Sequence, residues 1–104
     1  FAKELEVVII LKGRYTLIAC PDGNAFFNST GNPGMSKGGS GDVLCGMVAA
    51  FLAQKYDPVA ASLISVFLHG LSADLCAEKM ALESIRPIDL IDHISNGFLQ
   101  TFYK

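Results

Sequence analysis

The order of signals along this chain predicts an α/β fold. Three short β-rich segments come first, a glycine-rich loop follows, and three apolar helices close the chain. Strands followed by covering helices form one edge of a layered α/β sheet. Val7-Val8-Ile9-Ile10-Leu11 is a continuous, mostly β-branched run, which suits a strand covered on both faces. Lys12-Gly13-Arg14 interrupts it, and Tyr15 to Cys20 reads as a second strand. Pro21-Asp22-Gly23-Asn24 has tight-turn chemistry, and Ala25 to Asn28 is a third strand, so the last two form a hairpin. Residues 29 to 41 hold five glycines and a proline, too many for a regular element.

Helical patterning then takes over. Asp42 to Gln54 carries Val43, Leu44, Met47, Val48, Phe51 and Leu52 at helical spacing. Asp57-Pro58 is a second start signal, a capping carboxylate with proline at the first helical position. The helix it opens runs to about Met80 and is apolar nearly all round in its first half, as in a helix buried inside a layered domain. Arg86-Pro87 opens a third helix, with Ile88, Ile91, Ile94, Phe98 and Phe102 on its apolar stripe and Asp89, Asp92 and Gln100 outside.

A chain of 104 residues supports one modest domain. Its net charge of −2 gives no electrostatic case for nucleic acid or an anionic membrane surface. No apolar run reads as long enough to span a bilayer. The start, Phe1-Ala2-Lys3-Glu4-Leu5-Glu6, has neither a signal peptide's charged lead nor an initiator methionine. It reads as the tail of a helix already under way, and a helix buried on all sides needs further partners. The expectation is a C-terminal segment of a longer protein. Cys20, Cys45 and Cys76 are odd in number and form no CxxC pair. They read as buried, reduced thiols in a cytoplasmic protein.

The chemistry concentrates in Gly31-Asn32-Pro33-Gly34-Met35-Ser36-Lys37-Gly38-Gly39-Ser40-Gly41-Asp42. The first amides of a helix lack internal partners, and the helix dipole adds partial positive charge there. Glycines just before a helix therefore make an anion site out of backbone. The pattern is neither a Walker A loop nor a dinucleotide fingerprint. Its plain reading is a flexible loop capped by Asp42. Its functional reading makes Asp42 a proton acceptor, because a carboxylate beside phosphate is repelled. Lys12 to Thr16 places two cations and a hydroxyl at a strand end, either lining a nucleotide or forming a solvated turn. Lys37 either touches phosphate or is simply exposed. His69 suits a satisfied buried histidine better than a catalytic one, and His93 suits a surface position. Asp74 and Glu78, four apart, suit a polar face better than a metal pair.

Together, Asn32-Pro33-Gly34-Met35 and Gly38-Gly39-Ser40-Gly41-Asp42-Val43-Leu44 resemble the signature of the ADP/ATP-dependent NAD(P)H-hydrate dehydratases of the ribokinase-like superfamily. Val8-Ile9-Ile10-Leu11-Lys12-Gly13, the Pro21-Asp22-Gly23 turn and Leu68-His69-Gly70-Leu71 are similar to that family as well. The resemblance covers essentially the whole chain. It implies the C-terminal part of a ribokinase-like three-layer fold, a strand meander followed by three helices. Residues 1–104 would then be the C-terminal segment of one catalytic domain whose N-terminal portion is absent, and the segment alone is expected to be inactive.

The implied activity is a lyase reaction of metabolite repair. The ring hydroxyl of hydrated NADH or NADPH is phosphorylated by ADP or ATP, with Mg²⁺, and phosphate is then lost. By resemblance, Asp42 contacts substrate and acts as base, and Gly38, Gly39, Ser40 and Gly41 form the anion hole. Lys12, Gly13, Arg14, Tyr15, Thr16 and Gly41 contact the adenine nucleotide. Expected partners are the hydrated dinucleotide and the nucleotide, with a homo-oligomer or association with the N-terminal portion, and neither nucleic acid nor membrane. Ser36-Lys37 stands where the family often has small residues, and Ala73 where glycine is common. Two alternatives share the site: a ribokinase-like kinase of a vitamin-precursor alcohol, and a non-catalytic nucleotide-binding fragment.

Overall fold

The computed structural model describes residues 7–12, 16–32 and 39–102. Strands β1 (Ile9–Leu11), β2 (Leu17–Ala19) and β3 (Ala25–Phe27) form an antiparallel meander in the order β1-β2-β3. Ile10 faces Ile18 across the first pair, and Ile18 faces Phe26 across the second. The predicted hairpin turn is present. Asp22 accepts from the backbone and side-chain amides of Asn24, and Gly23 adopts φ 93, a left-handed conformation that glycine enters without penalty. The strands are shorter than their β-rich runs. β1 is not covered on both faces, since Val7 is 43% and Leu11 55% exposed.

The helices are α1 (Ser40–Ala53), α2 (Pro58–Ala77), α3 (Pro87–Asp92) and α4 (Ile94–Phe102), with a short 3₁₀ turn at Leu82–Ser84. Asp57 caps α2 as its sequence signals, accepting from the Val59 and Ala60 amides ahead of Pro58. The third predicted helix is broken at His93, whose backbone (φ −99, ψ 0) ends α3. Its Nδ1 lies 2.8 Å from the Asp89 carbonyl, so the apolar stripe continues through the break although the helix does not. Arg86 and Asp89 close a capping box at the start of α3, in which the Arg86 amide donates to Asp89.

Three apolar clusters hold the chain together. Ile18, Cys20, Leu44 and Val66 join the sheet to α1 and α2. Met47, Phe51, Ala61 and Leu68 bind α1 to α2, with Phe98 of α4 against them. Ala73, Cys76, Ile85 and Leu90 join α2 to α3. Contrary to the sequence expectation, α2 is by length and composition long and apolar enough to cross a membrane. In this fold it is the central core helix, packed against α1, α3 and α4. Cys20 and Cys76 are buried as expected, whereas Cys45 is exposed on α1.

Candidate functional site

The mouth of α1 is built by Gly39. Its φ of 93 turns the chain into the helix, and no side chain caps the end. The first helical bond runs from the Val43 amide to the Gly39 carbonyl at 3.1 Å, leaving the amides of Ser40, Gly41 and Asp42 without partners inside the helix. The helix therefore starts two residues before Asp42, because glycine and serine there adopt helical geometry rather than loop. Asp42 is not the cap. It sits in the first turn with its side chain exposed, and the plain reading of a capping carboxylate does not hold.

Lys12, at the end of β1, reaches the same point. Its Nζ lies 3.2 Å from where a Cβ on Gly41 would sit. An ammonium beside the positive end of a helix dipole is unfavourable by itself. A bound anion would compensate both charges. A Cβ at residue 41 would crowd that ammonium, which the flexible lysine side chain can relieve by shifting a few tenths of an ångström.

Beneath this mouth lies His69 of α2, 2% exposed. Its Nε2 is 3.0 Å from the Ser40 carbonyl oxygen and 3.3 Å from Ser40 Oγ. Burial holds the imidazole below its ordinary pKa, the bond to the Ser40 carbonyl opposes that shift, and the charge of Lys12 reinforces it. The buried, satisfied histidine anticipated from the sequence is present.

The other flank of the glycine loop is held by the same helix. Asp74 accepts from the Gly31 amide at 2.9 Å and from Asn32 Nδ2 at 3.0 Å, so this carboxylate anchors a loop rather than forming a metal pair or a solvated face. Thr30 Oγ1 donates to the Phe67 carbonyl at 2.8 Å, and Asn28 Nδ2 reaches the Val66 carbonyl at 3.4 Å. The loop approaches so closely that a Cβ on Gly70 would stand 2.2 Å from Thr30 Oγ1 and 2.7 Å from its carbonyl carbon.

Of the sequence-predicted site residues, Lys12, Gly39, Ser40, Gly41 and Asp42 converge on this mouth. Thr16 lies at the hairpin, where its carbonyl accepts the Asn28 amide. Gly13, Arg14, Tyr15, Lys37 and Gly38 lie outside the described residues. The anchoring roles of Asp74, Thr30 and Asn28 carried no local sequence signal, because their partners lie 37 to 43 residues away. His93 is half-buried rather than superficial, with Cys76 Sγ 3.4 Å from its Nδ1. The Cys76 thiol is pushed up by burial and by Asp89 and Asp92, which makes it a packed thiol rather than a nucleophile. From Asp42 an apolar groove of about 580 Å³ runs along α1 past Met47, Phe51, Ile94 and Phe98. Among the described residues no three His, Cys, Asp or Glu side chains gather in a way that could hold a metal ion.

Comparison with known proteins identifies the family. The family model described as NAD(P)H-hydrate dehydratase matches residues 1–96. The chain is 41% identical over 92 residues to the ADP-dependent (S)-NAD(P)H-hydrate dehydratase of Bacillus subtilis, which covers 88% of this chain and 33% of that protein. It is 40% identical over 94 residues to the bifunctional NAD(P)H-hydrate repair enzyme Nnr of Moorella thermoacetica, covering 90% of this chain and 18% of that one. The structure of the Bacillus subtilis ADP/ATP-dependent NAD(P)H-hydrate dehydratase co-crystallized with ATP/Mg²⁺ superposes with a TM-score of 0.90 at 38% identity, over 95% of this chain and 36% of that one. A ribokinase-like superfamily protein from Enterococcus faecalis gives 0.81 at 33% identity, over 95% and 34%. The chain thus spans about a fifth to a third of the length of the relatives it matches. Its α/β architecture is ribokinase-like, and the chain belongs to the NAD(P)H-hydrate dehydratase family.

Proposed function

We propose that this chain supplies the phosphate-binding helix and the base of an enzyme that dehydrates hydrated NADH or NADPH, using ADP or ATP as co-substrate. One observation carries the reading. Three helix-start amides and the Lys12 ammonium converge at a point that also presents the exposed Asp42 carboxylate. Donors for a phosphoryl group and an acceptor for a hydroxyl proton are the two requirements of phosphoryl transfer to an alcohol.

In this scheme Asp42 takes the proton of the ring hydroxyl as its oxygen attacks the terminal phosphorus. The bond from phosphorus to the bridging oxygen breaks, and AMP or ADP departs. The amides of Ser40 and Gly41, with the Gly39 turn behind them, hold the charge on the phosphoryl oxygens. Phosphate then leaves with the C–O electron pair, a proton is lost from the neighbouring ring carbon, and the double bond returns. Hydroxide is a poor leaving group and phosphate a good one, which is why dehydration is coupled to a nucleotide. Mg²⁺ suits this site as an ion carried largely by phosphate oxygens and water, since among the described residues no three His, Cys, Asp or Glu side chains gather to hold a metal. Such an ion neutralises phosphate charge. Gly13, Arg14, Tyr15 and Thr16 follow Lys12 in the segment we assign to the adenine nucleotide.

We further assign residues 1–104 to the C-terminal segment of a larger cytoplasmic catalytic domain, with the rest of that domain, or a second copy in a homo-oligomer, completing the dinucleotide pocket. The test is Asp42→Asn in the assembled enzyme. Restoration of reduced-nicotinamide absorbance is expected to fall by about 10²- to 10⁴-fold, with ADP binding retained. Undiminished turnover in that variant would remove Asp42 from the role of base. A stable phosphorylated product, with no free phosphate, would identify a kinase instead.

A further inference from the structure

His69 does more than fill the core. A carbonyl oxygen only accepts, so the His69 Nε2 that lies 3.0 Å from the Ser40 carbonyl carries a hydrogen. Burial and Lys12 favour the neutral ring. The Ser40 carbonyl belongs to the same planar, trans peptide unit as the Gly41 amide, and the two point in opposite directions. Fixing the carbonyl therefore fixes the direction of the amide hydrogen. Hydrogen bonding to the carbonyl also polarises the peptide and strengthens its N–H as a donor. The ring reaches Ser40 from α2, 29 residues along the chain, and lies beneath the mouth rather than in it. Lys12 Nζ comes within 3.2 Å of where a Cβ on Gly41 would sit.

We infer that His69 is a positioning residue that aims and polarises the Gly41 amide toward a bound phosphate oxygen, an inference that rests on the phosphate-site reading above. The imidazole touches neither phosphate nor substrate. It acts through one peptide plane.

The test follows the backbone amide protons of Ser40, Gly41 and Asp42 by NMR while ADP is added to native protein, His69→Leu and His69→Gln. Glutamine places a donor near the position of Nε2, and leucine places none. In native protein ADP is expected to move the Gly41 amide downfield. In His69→Leu that movement is expected to fall below half, out of proportion to Ser40 and Asp42, with ADP affinity weakened about 3- to 10-fold. His69→Gln is expected to recover most of both. A purely structural histidine would instead lower the melting temperature while leaving the three amides responding together.

Equal Gly41 responses in native and leucine proteins would overturn the inference and leave the phosphate site standing. Absence of any amide response in native protein would overturn both. If His69→Leu does not fold, His69→Gln and His69→Asn decide the matter. The shorter asparagine is expected to lose the Gly41 response, and equal responses in the two variants would refute the inference.

Discussion

Gly70→Ala and Gly46→Ala put the same methyl group into two helices of this chain with opposite expected results. At Gly70 the new Cβ would stand 2.2 Å from Thr30 Oγ1, 2.7 Å from the Thr30 carbonyl carbon and 2.8 Å from its oxygen. The hydroxyl can rotate away, but the carbonyl group is backbone and can move only with the loop. Ordinary contact begins near 3.5 Å, so residues 28–32 must retreat by about 1 Å. That retreat stretches Thr30 to Phe67 and Gly31 to Asp74 beyond hydrogen-bond length, and Asn28 to Val66 starts already at 3.4 Å. Two or three lost bonds amount to about 2–4 kcal/mol. Alanine's better helix propensity returns about 1 kcal/mol. The net destabilisation is about 1–3 kcal/mol, or roughly 4–20 °C in Tm for a domain of this size. At Gly46, by contrast, the added Cβ meets nothing within 4 Å. The propensity gain should appear there as a stabilisation of up to about 1 kcal/mol. Thermal and urea unfolding of the two variants beside the parent is the assay. The reasoning is refuted if Gly70→Ala melts at or above the parent, or if both variants lose stability equally.

Asp57→Ala removes the acceptor for the Val59 and Ala60 amides, and a loss of about 1 kcal/mol is expected in urea unfolding. Acid should weaken the fold in two stages. His69 is held below its ordinary 6.5, so its contribution is complete above that pH and fades as pH falls toward the lowered value. Asp89, held by the Arg86 hydrogen bonds below its ordinary 3.8, adds a contribution that is lost as pH falls further. His69→Gln should flatten the first stage and leave the second, as read from urea midpoints measured down the pH scale. The turnover loss in Asp42→Asn and the amide responses in the His69 variants complete the set.

The parts of the fold written in contiguous residues were legible. Pro21-Asp22-Gly23-Asn24 specifies a turn by its own side chains, and Asp57-Pro58 specifies a cap within three residues. The candidate site was legible for the same reason, since Gly39 to Asp42 are sequence neighbours and Lys12 ends the preceding strand run. Two boundaries misled. Ser40 and Gly41 read as loop because glycine is a poor helix former, yet at the first two positions of a helix their amides are unpaired in any case. The apolar stripe from Ile88 to Phe102 reads as one helix because its spacing survives the interruption at His93. The clamps by His69 and Asp74 were beyond local reading, because each joins residues brought together only when α2 crosses the loop. Spacing reports which face a residue occupies and cannot report which distant backbone group meets it there.

Gly39 combines a left-handed backbone with a position 3.0 Å, measured from its absent Cβ, from the Cγ of Pro87. Backbone conformation disfavours every larger residue at this position, and a Cβ would fit only if the Pro87 ring gave way by a few tenths of an ångström, so relieving one constraint leaves the other in force. Random mutagenesis of this position should therefore return glycine well above any other residue. The first turn of α3 is thereby a backstop to the loop. Any partner that shifts the helices following Pro87 would press on the rim of the proposed phosphate site without approaching it, giving the far end of the chain a mechanical route to the mouth of α1.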